Sequence, residues 1–298
     1  MLKSLLRRVG ALFSLSLLAG TVPAQARTPE VARPALWAVS DADTTVYLFG
    51  TIHLLPENVK RRTPAIEKAV AGSQQLVVET IVDDKNPTKL MTAMASLAFS
   101  KGLPPIAERV PPAKRPALDA AIARSGIPRK AFDAMETWAA AFMLLGEQFK
   151  TMGLKGQHGV EAVLRDSFTR AGKPVGELES NLEQLGFFDR LPEKAQRDFL
   201  EGALEGKDMN KDFDAMLRAW ARGDVEAIAK TFDHDLAASP DLQDALIKRR
   251  NASWSKWIGR RMGQPGAVLI AVGAGHLAGK YSVIELLKKD GYRVRRVQ

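Results

Sequence analysis

The sequence predicts an α/β fold: a central mixed β-sheet flanked by helices, with a largely helical inserted region. Short apolar runs of strand type stand near both ends of the chain, at residues 36–39, 46–49, 76–78 and 268–272. The stretch between about 86 and 235 instead repeats its apolar residues at three- and four-residue steps. Two of the strand-type runs end in the same motif, Gly50-Thr51-Ile52-His53 and Gly273-Ala274-Gly275-His276. With four histidines and 23 glycines in 298 residues, two such pairs would arise by chance in roughly 4% of chains. A histidine just past a strand's end sits at the carboxyl edge of the sheet, where open α/β sheets bind ligands.

The first 26 residues read as a signal peptide. Lys3, Arg7 and Arg8 form a positive start, residues 9–22 an apolar core, and Ala24-Gln25-Ala26 a cleavage site. Cleavage after Ala26 predicts a periplasmic or secreted product of 272 residues, 27–298, organised as one domain. No later run is long and apolar enough to span a membrane. The chain has no cysteine, which excludes disulfides, thiolate metal sites and thiol nucleophiles. The net charge of +9 falls to +6 without the three basic residues of the leader. The remaining basic residues are dispersed and lack interleaved aromatics, so nucleic acid is not an expected partner.

Residues 36–39 and 46–49, joined by the polar turn 40–43, predict a hairpin. Thr63-Pro64 predicts a capped helix start, with the helix running to about Ala71. A buried strand at 76–78 then ends at Glu79. In the inserted region, 131–150 predicts one buried helix carrying Trp138, Phe142, Leu145 and Phe149 on its apolar face. A helix over 160–171 precedes one strand over 173–179. The C-terminal part predicts a long helix over 240–262, the strand 268–272, a helix over 280–289 and a last strand over 292–297.

His53, Glu79, Glu179 and His276 all fall at predicted strand ends. Two histidines with one or two carboxylates suit Zn, Mn or Co with an open water position. Without a metal, the same set makes a His/Glu general acid–base pair. Glu177 and Glu179 share a strand face, so one of them would point to the site. His158 and Glu161, spaced i,i+3, read as a helix-start contact before they read as ligands, and His234 reads as a helix-to-loop boundary. The run from Gly273 to Ala278 matches a dinucleotide-binding pattern, but that pattern needs an acidic residue about 20 positions on. Arg293, Arg295 and Arg296 stand there instead, so a nicotinamide cofactor is not expected.

Several segments resemble the TraB/GumN family, bacterial relatives of the Tiki metalloproteases. They are Leu36-Trp37, Leu48 to His53, Val77-Val78-Glu79, Gly159-Val160-Glu161, Leu178-Glu179 with Glu183-Gln184, Arg250-Asn251, and Val272 to Leu277. Glu161 stands where the family commonly has Asp, and Ser180 where it has Thr. The resemblance implies an α/β core related to erythromycin-esterase and ChaN-like proteins. It also implies metal-dependent peptide cleavage as in Tiki proteins, or peptide handling as in the TraB and PrgY branch. On this basis His53, Glu79 and His276 are expected to hold a divalent metal. Glu179 would be a further ligand or the base, and Arg250 would neutralise an oxyanion or bind a substrate carboxylate. The expected function is an exported metal-dependent hydrolase acting on peptides or on small esters or amides. The alternatives are a metal-free His/Glu esterase and a non-catalytic peptide-binding protein.

Overall fold

The computed structural model describes residues 31–298 except 58, 60, 61, 84, 85, 205–208, 237 and 238, and omits the side chains of 233–236. The expected signal peptide and the His234 side chain therefore lie outside the described residues.

Six strands form one mixed sheet: β1 (Leu36–Ser40), β2 (Thr44–Thr51), β3 (Gln75–Val78), β4 (Val175–Glu177), β5 (Gly266–Gly273) and β6 (Val294–Arg296), in the order β4-β3-β5-β2-β1-β6. β1 pairs antiparallel with β2 as the predicted hairpin, and β6 pairs antiparallel with β1. β2, β5, β3 and β4 are mutually parallel. The central pair, β2 and β5, comes from opposite ends of the chain and stays in register from Thr44↔Gly266 to Thr51↔Gly273. That register puts both Gly-x-x-His segments side by side at one carboxyl edge.

Alternation along the strands feeds two cores. Phe49, Leu76, Val78, Leu269 and Ala271 face one way, into the core that the inserted helices complete. Leu48, Val77, Val268, Ile270 and Val272 face the other way. There they meet Trp254, Ile258 and Met262 of helix Arg249–Met262 and Val283, Ile284 and Leu287 of helix Val283–Lys289. Buried on both faces, these strands read as continuous apolar runs, as parallel strands do.

Helix Pro64–Gly72 starts at Thr63, whose side chain caps Ile66 N–H, with Pro64 in the first turn. Helix Val160–Arg170 ends before Gly172, whose φ of +68° suits the left-handed turn. In the inserted region Trp138, Phe142, Phe188 and Phe199 cluster, with the Phe142 and Phe188 rings edge to face at 4.7 Å.

Five expected elements differ from those observed, the last strand among them, which shortens from 292–297 to β6. The helix over 131–150 is two, Arg129–Ala134 and Thr137–Thr151. Met135 is extended, bridges Phe99 and receives a hydrogen bond from the buried Arg109, and this tertiary hold outweighs helical spacing. The strand over 173–179 shortens to β4, because only three of its residues find a partner on β3. The helix over 280–289 begins at Val283, since Ser282 caps Glu285 N–H. The long helix over 240–262 carries a π-helical stretch, Asp244–Lys248, just before Arg250. Such widened turns re-aim the side chains that follow and are frequent at functional sites.

Candidate functional site

The structure brings His53, Glu79, Glu179, Arg250 and His276 into one polar cluster at the carboxyl edge of β2, β3, β4 and β5. Glu79 is its centre. It follows β3 directly and is buried. Its Oε1 accepts from Gly273 N–H at 2.6 Å and lies 3.7 Å from Nε2 of both His53 and His276. Its Oε2 accepts from Arg250 at 2.8 Å. Glu179, just beyond β4, receives Arg250 Nε at 3.1 and 3.0 Å on its two oxygens and Trp254 Nε1 at 2.9 Å. The guanidinium thus ties two buried carboxylates together, which needs a planar multi-donor group and not a point charge.

Arg250, Asn251 and Trp254 all come from one buried face of helix Arg249–Met262. Arg250 lies 4.8 Å over the Trp254 ring, and the same ring packs 4.4 Å from the His276 imidazole. Asn251 Oδ1 sits 2.7 Å from His276 Nδ1. The Asn251 amide nitrogen donates to the carbonyls of Tyr281 and His276, which orients the oxygen toward the ring. His276 is therefore the Nδ1–H tautomer, and its Nε2 accepts from Arg250 at 3.2 Å. The ring sits on a short 3₁₀ turn, Ala274–Leu277, directly after β5.

His53 is held differently. Its Nδ1 lies 2.7 Å from Glu161 Oε1, which also receives the Thr51 hydroxyl. Glu161 is in the first turn of helix Val160–Arg170, docked backbone to backbone on the motif by Val160 N–H to Ile52 O at 3.1 Å. Gly159 makes that contact possible: a Cβ there would stand 2.0 Å from the His53 carbonyl oxygen. The two glycines that open the motifs have different surroundings. Gly50 faces Ala274 with a little room, while its carbonyl takes the Trp220 indole N–H at 2.8 Å.

Exposure runs in one direction through the cluster. The His276 and Arg250 side chains are fully buried at 0%, whereas His53 and Glu161 retain 10% and 13%. The less buried end of the cluster is that of His53 and Glu161. Protonation follows the same direction. Burial pushes the His276 imidazole down to about 3, with Arg250 and His53 adding to it against the pull of Glu79. Burial also pushes His53 down, but the carboxylates of Glu161 and Glu79 outweigh it and its pKa is raised. Burial raises Glu79, yet His276, Arg250, His53 and the Gly273 N–H together hold it at about 2. At neutral pH His276 is uncharged and Arg250 is the permanent counter-ion of Glu79. Burial raises the Glu179 carboxyl despite Arg250 beside it.

Other sequence candidates fall elsewhere. Glu177 turns to Ile81 N–H at 2.7 Å and the Thr80 hydroxyl, so it braces the loop after β3 and not the cluster. His158 contacts Gln157 next to it on the short turn before Gly159. Glu161, read from sequence first as a helix-start contact, reaches His53. Trp254 and Thr51 carried no sequence signal of their own. Trp254 could have been found as the residue one turn after Arg250 on the same helix face.

These contacts join the segments that resemble one family, and the comparison with known proteins agrees. The chain belongs to the TraB/PrgY/gumN family. The family match spans residues 35–296, which includes every residue of the cluster. The chain is also 25% identical over 256 residues to the uncharacterized protein YbaP of Escherichia coli, covering 86% of this chain and 92% of YbaP. YbaP of Shigella flexneri matches to the same extent. No solved structure matches. Among the described residues no helix is long and apolar enough to cross a membrane.

Among the described residues no three histidine or acidic side chains stand in metal-holding geometry. The donor types present, imidazole and carboxylate, are those a divalent ion takes. Two imidazole Nε2 atoms lie equally near one carboxylate oxygen, and each ring has a partner for its Nδ1, the arrangement that orients histidine ligands; an ion at His276 Nε2 would have to displace the Arg250 N–H that this nitrogen now accepts. Glu79 and Glu179 share the Arg250 guanidinium, while the third carboxylate, Glu161, pairs with His53.

Proposed function

We propose that this TraB/PrgY/gumN family protein is an exported, metal-dependent hydrolase acting on peptides. The observation that carries the reading is the equal 3.7 Å approach of His53 Nε2 and His276 Nε2 to Glu79 Oε1. His53, Glu79 and His276 would hold the ion, Mn, Co or Zn. Bound there, it would lower the pKa of a water and polarise a scissile carbonyl. Arg250 keeps Glu79 ionised and aimed, and Glu179 anchors Arg250 in turn. Glu179 is directed at Arg250 and Trp254, which supports an organising role over that of a base. The full pairing of Arg250 with buried carboxylates likewise supports an organising role over direct capture of substrate. His53 and Glu161, at the open end, would meet the incoming amide.

A second reading rests on the His53–Glu161 pair. A carboxylate 2.7 Å from Nδ1 is what a metal-free histidine base requires, with Nε2 facing the reacting group.

Elemental analysis of the full chain purified without chelator, beside a peptide library read by mass spectrometry, decides between them. The metal reading expects a bound divalent ion near one per chain and cleavage lost in Glu79→Gln. Cleavage unaffected by complete metal removal would establish the His/Glu base. Peptides retained intact by the metal-loaded wild type and by Glu79→Gln alike would make the protein a peptide-binding one.

A further inference from the structure

We propose that Glu161 is the positioning residue of His53. It fixes the ring as the Nδ1–H tautomer, so that the Nε2 lone pair faces Glu79. The functional weight of the inference rests on the reading of His53 as a metal ligand; the tautomer itself does not.

A neutral imidazole has one donor and one acceptor nitrogen, and free in water neither face is fixed. A ligand or base needs the lone pair on a chosen side. For His276 a side-chain oxygen, Asn251 Oδ1, makes that choice. For His53 the acceptor at Nδ1 is Glu161 Oε1, at 2.7 Å. An acidic residue in a helix's first turn is commonplace, since it complements the helix dipole. Here, though, the carboxylate turns away from its own helix to Thr51 and His53, two residues of one motif. The Thr51 hydroxyl donates to the same oxygen and so fixes the carboxylate's rotation. The distance is set by Gly159, where any side chain would push the helix off the His53 carbonyl. Gly159, Glu161 and Thr51 therefore work as one device: close approach, acceptor and brace.

The test uses the full chain with metal removed and two variants. Glu161→Met keeps the length without an acceptor; Glu161→Gln restores an acceptor oxygen. Nitrogen-15 NMR of the histidine rings, at a pH where they are neutral, reports which nitrogen carries hydrogen. His53 should be the Nδ1–H form in wild type and in Glu161→Gln, and the Nε2–H form in Glu161→Met. His276 should stay Nδ1–H throughout, which controls for a general disturbance of the fold. A wild-type His53 in the Nε2–H form, or no change in Glu161→Met, overturns the inference. The wild-type arm stands even if Glu161→Met fails to fold. Titration with Mn, Co and Zn ions then measures the consequence: about 10- to 100-fold weaker binding in Glu161→Met, recovered in Glu161→Gln. Equal binding in all three chains overturns the positioning role. Wild type that binds none of the three ions overturns the metal reading of the site and leaves the tautomer result to decide the role of Glu161.

Discussion

The two Gly-x-x-His segments share a spacing, a preceding strand and a sheet edge, yet their histidines have opposite environments. His276 is sealed between Trp254, Arg250 and a neutral amide, and its charge is suppressed. His53 borders solvent and is paired with a carboxylate, and its charge is favoured. The difference comes from what packs on each motif. Helix Arg249–Met262 brings a cation, an amide and an indole to one ring. Helix Val160–Arg170 brings an acid to the other. One motif therefore yields a sealed inner wall and the other an edge nearer solvent.

The contrast predicts that the inner wall carries more stability than the edge. The largest effect should come from Arg250→Met, which strands Glu79 and Glu179 as buried, unpaired carboxylates. Breaking a buried pair in this way costs about 3–5 kcal/mol. Urea unfolding measures it, and a loss below about 1 kcal/mol would show that solvent reaches this end of the cluster after all.

Next come the histidines. His276→Ala removes a fully buried ring and orphans Asn251, at a cost of about 2–3 kcal/mol, while His53→Ala should cost about 1 kcal/mol or less. Both should abolish metal uptake. Equal unfolding midpoints for the two variants would erase the proposed asymmetry.

The pH dependence sharpens the same contrast in metal-free protein. The folded His276 resists protonation to about 3, whereas the unfolded ring takes a proton near 6.5. Its contribution is therefore complete above 6.5 and is lost as pH falls from 6.5 toward 3. Glu79, held at about 2 against 4.5 unfolded, adds a loss as pH falls from 4.5 toward 2. His53 tilts the other way. Its folded pKa is above 6.5, so its contribution is complete below 6.5 and is lost as pH rises through the folded value. Unfolding midpoints measured across pH should lose the acid-side slope between 6.5 and 3 in His276→Gln and the alkaline-side slope in His53→Gln. A wild-type slope surviving in His276→Gln would assign it to another group.

A further contrast separates the glycines, and the smallest effect of all falls on Gly50. Gly159→Ala drives a Cβ into the His53 carbonyl and should cost about 1–3 kcal/mol and displace His53. Gly50→Ala meets Ala274 at 3.3 Å, a contact that yields slightly, and should cost under about 1 kcal/mol. A ranking in the reverse order would mean that the helix start is not seated on His53.

Much of this protein was legible in its sequence because the signals were local. Apolar runs marked the central strands, Thr63-Pro64 and Gly172 marked helix ends, and four polar residues at strand ends marked the cluster. Alternation placed Glu177 and Glu179 on one face, but only the shortening of β4 sent Glu177 to Ile81 and freed Glu179 to meet Arg250. The break at Met135 was invisible for a related reason: a bridge to Phe99 and a hydrogen bond from Arg109 act across dozens of residues and leave no periodicity behind. The sequence by itself determined the fold class, the family and which ionisable groups lie at the sheet's edge. The tertiary structure alone decided which histidine is buried, which is acid-paired and which carboxylates share the guanidinium. Those properties are set by burial and by partners far apart in the chain, as Glu79 and Gly273 are at 194 positions, and no local pattern encodes distance in space.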